Sequence, residues 1–277
     1  MTRVLVTGGS RGIGRSICLR IAADALRRGE QPRLVVSATG ASPDLAALVA
    51  ELQALGAEAL AVTGDLSDPA FPARLVASAV EFCGGLDTLV HNAGGAIAAP
   101  LIKGALADWD TVFAINTRAF LLLGQAANAE LRKSRGSLCA IGSAASETVQ
   151  PYTGAYNAAK AALAMLVCQM AYEWGRHGIR VNCVSPGLTL SRSTEDALAS
   201  DEDRARAGSH IPLRRVASPE DVAAAVAFVT GSDAGYITGE NINVDGGLRH
   251  NGTEAMLGDR PDAWAANDSA RLRPKGE

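Results

Sequence analysis

The sequence predicts an α/β protein: a single doubly wound domain whose seven-stranded parallel sheet is flanked by helices. Three observations predict it. Short runs rich in Val, Ile and Leu recur along the chain, and they are continuous rather than alternating, as strands buried on both faces require. Longer Ala-, Leu- and charge-rich stretches with a 3.6-residue apolar rhythm lie between them. No linker of Pro, Gly or Ser composition interrupts the 277 residues, so strand and helix alternate as one unit.

The candidate strands are 3–7, 33–37, 58–63, 88–92, 136–141, 180–185 and 241–244. Helical rhythm is clearest over 44–55, 70–83, 155–174 and 219–229. Residues 25–32 form an extended helix end or loop before the second strand. The polar, charged stretch 190–210 (LSRSTEDALASDEDRARAGSH) breaks the rhythm after the sixth strand and reads as a helical flap. The domain is therefore expected over 1–248, with a substrate flap at 190–212 and a hydrophilic, strand-free extension at 249–277.

Composition excludes several function classes. The 26 Lys and Arg are outnumbered by 29 Asp and Glu, so no basic excess exists to engage nucleic-acid phosphates. No run of ~18 apolar residues offers a membrane span. With 48% hydrophobic residues and a net charge of −3, the chain is too apolar and too nearly neutral for disorder. Cys18, Cys83, Cys139, Cys168 and Cys183 are odd in number and lack a CxxC pair. They read mostly as packed free thiols, in keeping with a reducing, cytoplasmic setting. His91, His177, His210 and His250 show no HxxxH or HExxH spacing, so no metal site is expected. The N-terminus enters a strand directly, without the charged and apolar regions of a secretion signal.

The first strand runs into Thr7-Gly8-Gly9-Ser10-Arg11-Gly12-Ile13-Gly14 and then a helix. A strand, a glycine turn and a helix N-terminus together make a phosphate cradle. Gly8 permits the tight turn, Gly12 lets the backbone approach a pyrophosphate, and Gly14 allows close helix–strand packing. The spacing is GxxxGxG rather than GxGxxG, so position after the first strand carries the reading. An acid at the end of the second strand would bind a ribose 2′-hydroxyl; an arginine nearby suits a 2′-phosphate. Here that strand ends Ser37-Ala38-Thr39-Gly40 without an acid, and Arg11 lies in the turn. Ser37 and Thr39 offer hydroxyl donors. The expected cofactor is NADP(H), with NAD(H) the alternative.

The fifth strand ends Ile141-Gly142-Ser143, and a helix follows with Tyr156-Asn157-Ala158-Ala159-Lys160. Tyr156 and Lys160 stand at i and i+4 and share a helix face. Ser143 sits at the carboxyl end of a strand, where open α/β sheets place their ligands. At its ordinary pKa of ~10 a tyrosine is a poor base at neutral pH, and a neighbouring ammonium favours its phenolate. Such a group can serve a carbonyl as general acid and an alcohol as general base. A serine hydroxyl donating to the carbonyl oxygen favours the charge that develops there.

These motifs, in this order, resemble the short-chain dehydrogenase/reductase family over roughly residues 2–248. They are TGGSRGIG at 7–14, HNAG at 91–94, Asn116 in FAINTRAF, Ser143 in IGSAAS, YNAAK at 156–160, PGLTLS at 186–191 and ITGENINVDGG at 237–247. The resemblance includes members similar to 3-oxoacyl-carrier-protein reductases. It implies a Rossmann domain, a nicotinamide cofactor and an Asn116–Ser143–Tyr156–Lys160 tetrad. Tyr156 is then the general acid/base, Lys160 also binds the nicotinamide ribose, Ser143 orients the substrate and Asn116 supports a water-linked proton relay. The resemblance places Asp65 and Leu66, in GDLSD, near the adenine. Asn92, Ala93 and Gly94 line the cofactor, Pro186 and Gly187 shape the nicotinamide side, Thr189 reaches the carboxamide, and Ser191 stands where the family often has threonine. The glycine turn contributes Gly8, Ser10, Arg11, Gly12, Ile13 and Gly14.

One departure is His91, where the family commonly has asparagine; it reads as a tolerated variant or a tuning residue. The loops that would set specificity, at 96–103, 144–153 and 190–210, suit a small polar ketone, a sugar-like polyol or a 3-oxoacyl thioester. Arg204, Arg206, Arg214 and Arg215 read as a solvated helix face rather than a docking patch for an acidic carrier. The expected activity is reduction of a ketone by NADPH. The alternatives are an NAD-dependent polyol or alcohol dehydrogenase and a catalytically silent nucleotide sensor. By resemblance the chain forms a homotetramer or homodimer, and its partner is a small carbonyl or alcohol substrate.

Overall fold

The computed structural model describes residues 1–191 and 194–250. Seven strands, β1 (Thr2–Thr7), β2 (Pro32–Ala38), β3 (Glu58–Thr63), β4 (Thr88–His91), β5 (Ser137–Ile141), β6 (Arg180–Pro186) and β7 (Asn241–Val244), form one sheet in the order β3-β2-β1-β4-β5-β6-β7. Every pairing is parallel. The order reverses between β1 and β4, so a crevice opens at their carboxyl ends.

The described residues form eight α-helices, α1 (Gly12–Arg27), α2 (Pro43–Ala54), α3 (Phe71–Cys83), α4 (Leu106–Phe113), α5 (Ala119–Ser134), α6 (Tyr156–Trp174), α7 (Asp201–Ser209) and α8 (Pro219–Thr230), of which α1, α2, α3, α5, α6 and α8 pack on the sheet. The continuous apolar strands have a direct cause in two cores. Leu5, Val35, Leu89, Leu138 and Val181 enter one core with α3, α5 and α6. Their neighbours Val4, Val6, Leu34, Val36, Val90, Cys139 and Val184 enter the other with α1, α2 and α8. Alternate side chains thus meet opposite helix layers, and neither set can be polar.

The strand ends differ from the sequence expectation by a residue or so. β4 stops at His91 because the Asn92 amide turns off the ladder and donates to Thr7 Oγ1 at 3.2 Å. The expected flap contains a short 3₁₀ turn (Asp196–Leu198) and α7, capped by Ser200. Residues 192–193 and the extension from 251 onward lie outside the described residues. No helix among the described residues is long and apolar enough to cross a membrane.

Four cysteines are buried and Cys168 is exposed. Burial pushes the Cys18 thiol up to about 12, and those of Cys83 and Cys183 to about 11. These are packing groups, not nucleophiles at neutral pH. Among the described residues no cluster of His, Cys, Asp or Glu is placed to hold a metal ion.

Candidate active site

The glycine turn leaves β1 and caps α1. Gly12 adopts φ +54°, and a Cβ added there would meet no atom within 4 Å, because it would project into the open crevice. That vacant approach is what a pyrophosphate against the helix N-terminus needs. Gly14 instead packs inward, with the Gly8 carbonyl and Asn92 side chain where a Cβ would go. The residues present therefore fit a dinucleotide.

Two hollows share Arg11, Asn92 and Gly94. One, of about 450 Å³, is lined by Gly8, Ser10, Thr39, Gly40, Ser42 and Ala93 as well. It suits the adenosine end. The other, of about 850 Å³, gathers Gly12, Ile13, Ser143, Tyr156, Lys160, Pro186, Gly187, Thr189 and Ser191. Most of the expected contacts thus line two adjoining hollows at the switch point.

Several expected residues stand elsewhere. Ser37 is 1% exposed and lines neither hollow; its carbonyl accepts from the Gly9 amide at 3.1 Å. It supports the glycine turn from beneath, because a strand residue one place earlier than Ala38 faces the core. Thr39, beyond the strand end, does reach the cleft. Asp65 and Leu66 also line neither hollow. The Asp65 carboxylate accepts from the Ser67 amide at 2.8 Å, and Leu66 packs in the core. Arg11 pairs with Asp44, in the first turn of α2, at 3.6 Å.

The catalytic candidates come from three elements. Ser143 follows β5 and begins a 3₁₀ turn, its Oγ accepting from the Ala145 amide at 3.1 Å. Tyr156 opens α6, and Lys160 lies one turn on with Nζ 5.6 Å from the Tyr156 ring centroid. Lys160 is only 3% exposed, and its Nζ donates to the Ile141 carbonyl at 2.7 Å.

Asn116 sits in a π-helical turn (Ala114–Arg118) between α4 and α5. Its amide donates to Val112 O at 2.8 Å and Gly95 O at 2.9 Å, while Oδ1 accepts from the Gly95 amide at 3.2 Å. Both amide hydrogens are committed, so this side chain acts as a strut under the loop after Gly94. At Gly94 an added Cβ would fall 2.5 Å from Asn116 Oδ1 and 3.3 Å from Lys160 Nζ. Glycine is required there because the backbone crosses directly over both catalytic candidates.

Gly95, Leu188, Thr194 and Leu248, which carry no sequence signal of a site role, also line the larger hollow. Thr194 Oγ1 donates to the Thr189 carbonyl at 2.7 Å and accepts from the Ser191 amide at 2.9 Å, pinning the start of the flap. Gln150 and Thr153, from the loop after Ser143, complete the wall. Glu147 of the same loop faces away, bonding Asn241 at 2.9 Å and Arg249 at 2.6 Å. Arg204 and Arg206 pair with Asp201 and Asp203, and Arg215 with Asp221, as expected of a solvated face.

A switch-point cleft with a glycine cradle and a Ser-Tyr-Lys group defines an oxidoreductase class, and comparison with known proteins bears on it. A family model described as enoyl-(acyl carrier protein) reductase matches residues 12–249. L-rhamnose 1-dehydrogenase (NAD(P)(+)) of Sphingomonas sp. (strain SKA58) is 34% identical over 247 residues, covering 88% of this chain and 95% of that protein. A 3-oxoacyl-[acyl-carrier-protein] reductase of Staphylococcus aureus (strain Mu50 / ATCC 700699) is 34% identical over 245 residues, covering 88% and 96%. Among solved structures, a 7α-hydroxysteroid dehydrogenase complexed with NADH and 7-oxo glycochenodeoxycholic acid superposes with a TM-score of 0.80 at 30% identity, covering 88% and 93%. The chain belongs to the short-chain dehydrogenase/reductase family. It is an NAD(P)-dependent oxidoreductase of carbonyl and alcohol groups.

Proposed function

We propose that this protein is an NADPH-dependent ketone reductase in which Tyr156 is the general acid. The observation that carries the reading is the convergence of Ser143, Tyr156 and Lys160 on the hollow that Gly12 opens onto. When bound, the reduced nicotinamide supplies the hydride. The Tyr156 hydroxyl gives its proton to the carbonyl oxygen, completing the secondary alcohol. Lys160 places a buried positive charge beside the resulting phenolate, and Ser143 donates a hydrogen bond to the oxygen as its charge grows. Asn116 holds the Gly95 loop and supports the route by which Lys160 draws a proton from solvent.

Ser10, Arg11, Gly12 and Ile13 would hold the phosphates, with Gly8, Asn92, Ala93 and Gly94 along the adenosine and ribose. Pro186, Gly187, Thr189 and Ser191 would frame the nicotinamide, with Lys160 also binding its ribose. Arg11 and Thr39 favour a 2′-phosphate. Ser37 would act through the turn, and Asp65 and Leu66 would support the adenine side from outside the cleft. The second reading, an NAD-dependent polyol or alcohol dehydrogenase, draws support from Asp44, which already engages Arg11.

The flap at 190–212 would close over substrate within a domain spanning 1–248. A homotetramer in the cytoplasm completes the proposal, with a homodimer as the alternative. Met165 and Tyr172 on α6 are exposed apolar groups at 68% and 90%, as a helix that packs on a second copy would present. Oxidation of NADPH and NADH against a panel of ketones, with the reverse reaction on sugars and polyols, tests the reading. Faster turnover of NADH with polyol products would replace it, and a monomer by light scattering would remove the assembly.

A further inference from the structure

We infer that His91 is a positioning residue for the proposed reaction, fixing the π-helical turn of Asn116 to the sheet through the Ile115 carbonyl. This rests on the reading of Asn116 given above. His91 ends β4 and is register partner of Thr7 at the end of β1, so the two meet at the switch point. Both side chains are fully buried.

Their hydrogen bonds determine one arrangement. His91 Nε2 lies 3.0 Å from the Ile115 carbonyl, which can only accept, so Nε2 carries the proton. Nδ1 is then the acceptor, and Thr7 Oγ1, 3.0 Å away, must donate to it. The Thr7 oxygen accepts in turn from the amides of Asn92 at 3.2 Å and Ala93 at 3.1 Å. Every polar atom of the pair is satisfied. The chain of bonds runs from the cofactor-facing Asn92–Ala93 backbone, through Thr7 and the imidazole, to the turn that carries Asn116.

A π-helical turn departs from the regular i→i−4 ladder, and such turns are frequent at functional sites. Ile115 lies inside it and Asn116 is the next residue. Burial first, and then the charge of Lys160, push the imidazole down to about 3, so it stays neutral with its single proton on Nε2. A shorter side chain at 91 meets Thr7 but cannot span to Ile115.

Two substitutions separate the two ends of the ring. His91→Asn keeps an acceptor near Thr7 and loses the donor to Ile115; His91→Gln keeps a donor near the Nε2 position. We expect His91→Asn to lower kcat by about tenfold or more, as small misplacements of catalytic groups do, with cofactor Kd little changed. His91→Gln should restore most of that loss. In an Asn116→Ala background the His91→Asn change should have no further effect. Equal kcat in both His91 variants, or a loss that multiplies with Asn116→Ala, overturns the inference. Full activity of Asn116→Ala alone would instead overturn the reading of Asn116. Should His91→Asn not fold, ¹⁵N-histidine NMR of the unaltered protein decides. A neutral Nε2–H ring that does not titrate between about pH 5 and pH 9 is required, and an Nδ1–H or titrating ring refutes it.

Discussion

Lys160 Nζ donates at 2.7 Å to the carbonyl of Ile141, the last residue of β5 and two before Ser143. One buried bond thus registers α6, which carries Tyr156 and Lys160, against the strand end that delivers Ser143. That strand–helix contact sets Ser143 relative to Tyr156 and Lys160, while Asn116 is held separately through the Gly95 backbone.

Replacing the nearly buried Lys160 by Met preserves bulk and removes the charge. Turnover should fall by about 10²-fold or more, the scale of lost acid–base support. The expected signature is a kcat loss larger than any change in melting temperature. Steady-state kinetics beside thermal unfolding checks it.

Arg11 and Asp44 form a half-exposed pair 3.6 Å apart. Such pairs add little to stability, but under the proposed NADPH reading this one would compete with the 2′-phosphate for the guanidinium. Arg11→Ala should lower the NADPH-to-NADH ratio of kcat/KM by about tenfold, as losing a charge-assisted bond implies. Asp44→Asn should raise the same ratio. Competition kinetics with both cofactors reads the result.

At Gly94 a methyl group has no room, given Asn116 Oδ1 at 2.5 Å. Gly94→Ala should destabilise by about 1–3 kcal/mol through overpacking and depress kcat, since the strain falls on Asn116 and Lys160. Gly12→Ala meets no such neighbour but sits at φ +54°, so it should cost about 1–2 kcal/mol of backbone strain and weaken cofactor binding without the kcat loss from crowding Asn116 and Lys160. Calorimetry and cofactor titration of the two variants distinguish these effects.

The buried His91 gives stability a pH dependence. Its folded-state pKa, pushed down to about 3 chiefly by burial, lies below the ordinary 6.5. On acidification the unfolded chain takes up a proton at 91 that the folded chain refuses. Stability should therefore be full above about pH 6.5 and decline toward pH 3, at about 1.4 kcal/mol per pH unit from this residue. Urea unfolding of His91→Gln should show a correspondingly shallower slope between about pH 4 and pH 6.

Much of this was legible from residue order. Apolar runs located all seven strands because both sheet faces are covered, and the Tyr156–Lys160 spacing placed two side chains on one helix face. What the chain did not show has physical causes. Ser37 looked like a phosphate donor, yet strand alternation points it into the core, where its carbonyl serves the glycine turn. The π-helical turn around Asn116 left no periodic mark, since a single inserted residue alters the ladder and not the apolar rhythm. Leu248 and Thr194 reach the cleft from distant segments, a juxtaposition that only tertiary packing creates. His91 was visible as a departure from the family's usual residue, but its two partners, Thr7 and Ile115, were not.

Whether Tyr156 moves the proton is decided by Tyr156→Phe, assayed for NADPH consumption on a ketone that the unaltered protein reduces. NADPH binding should be unchanged and the rate lower by about 10²-fold or more. Turnover equal to that of the unaltered protein would contradict that role for Tyr156.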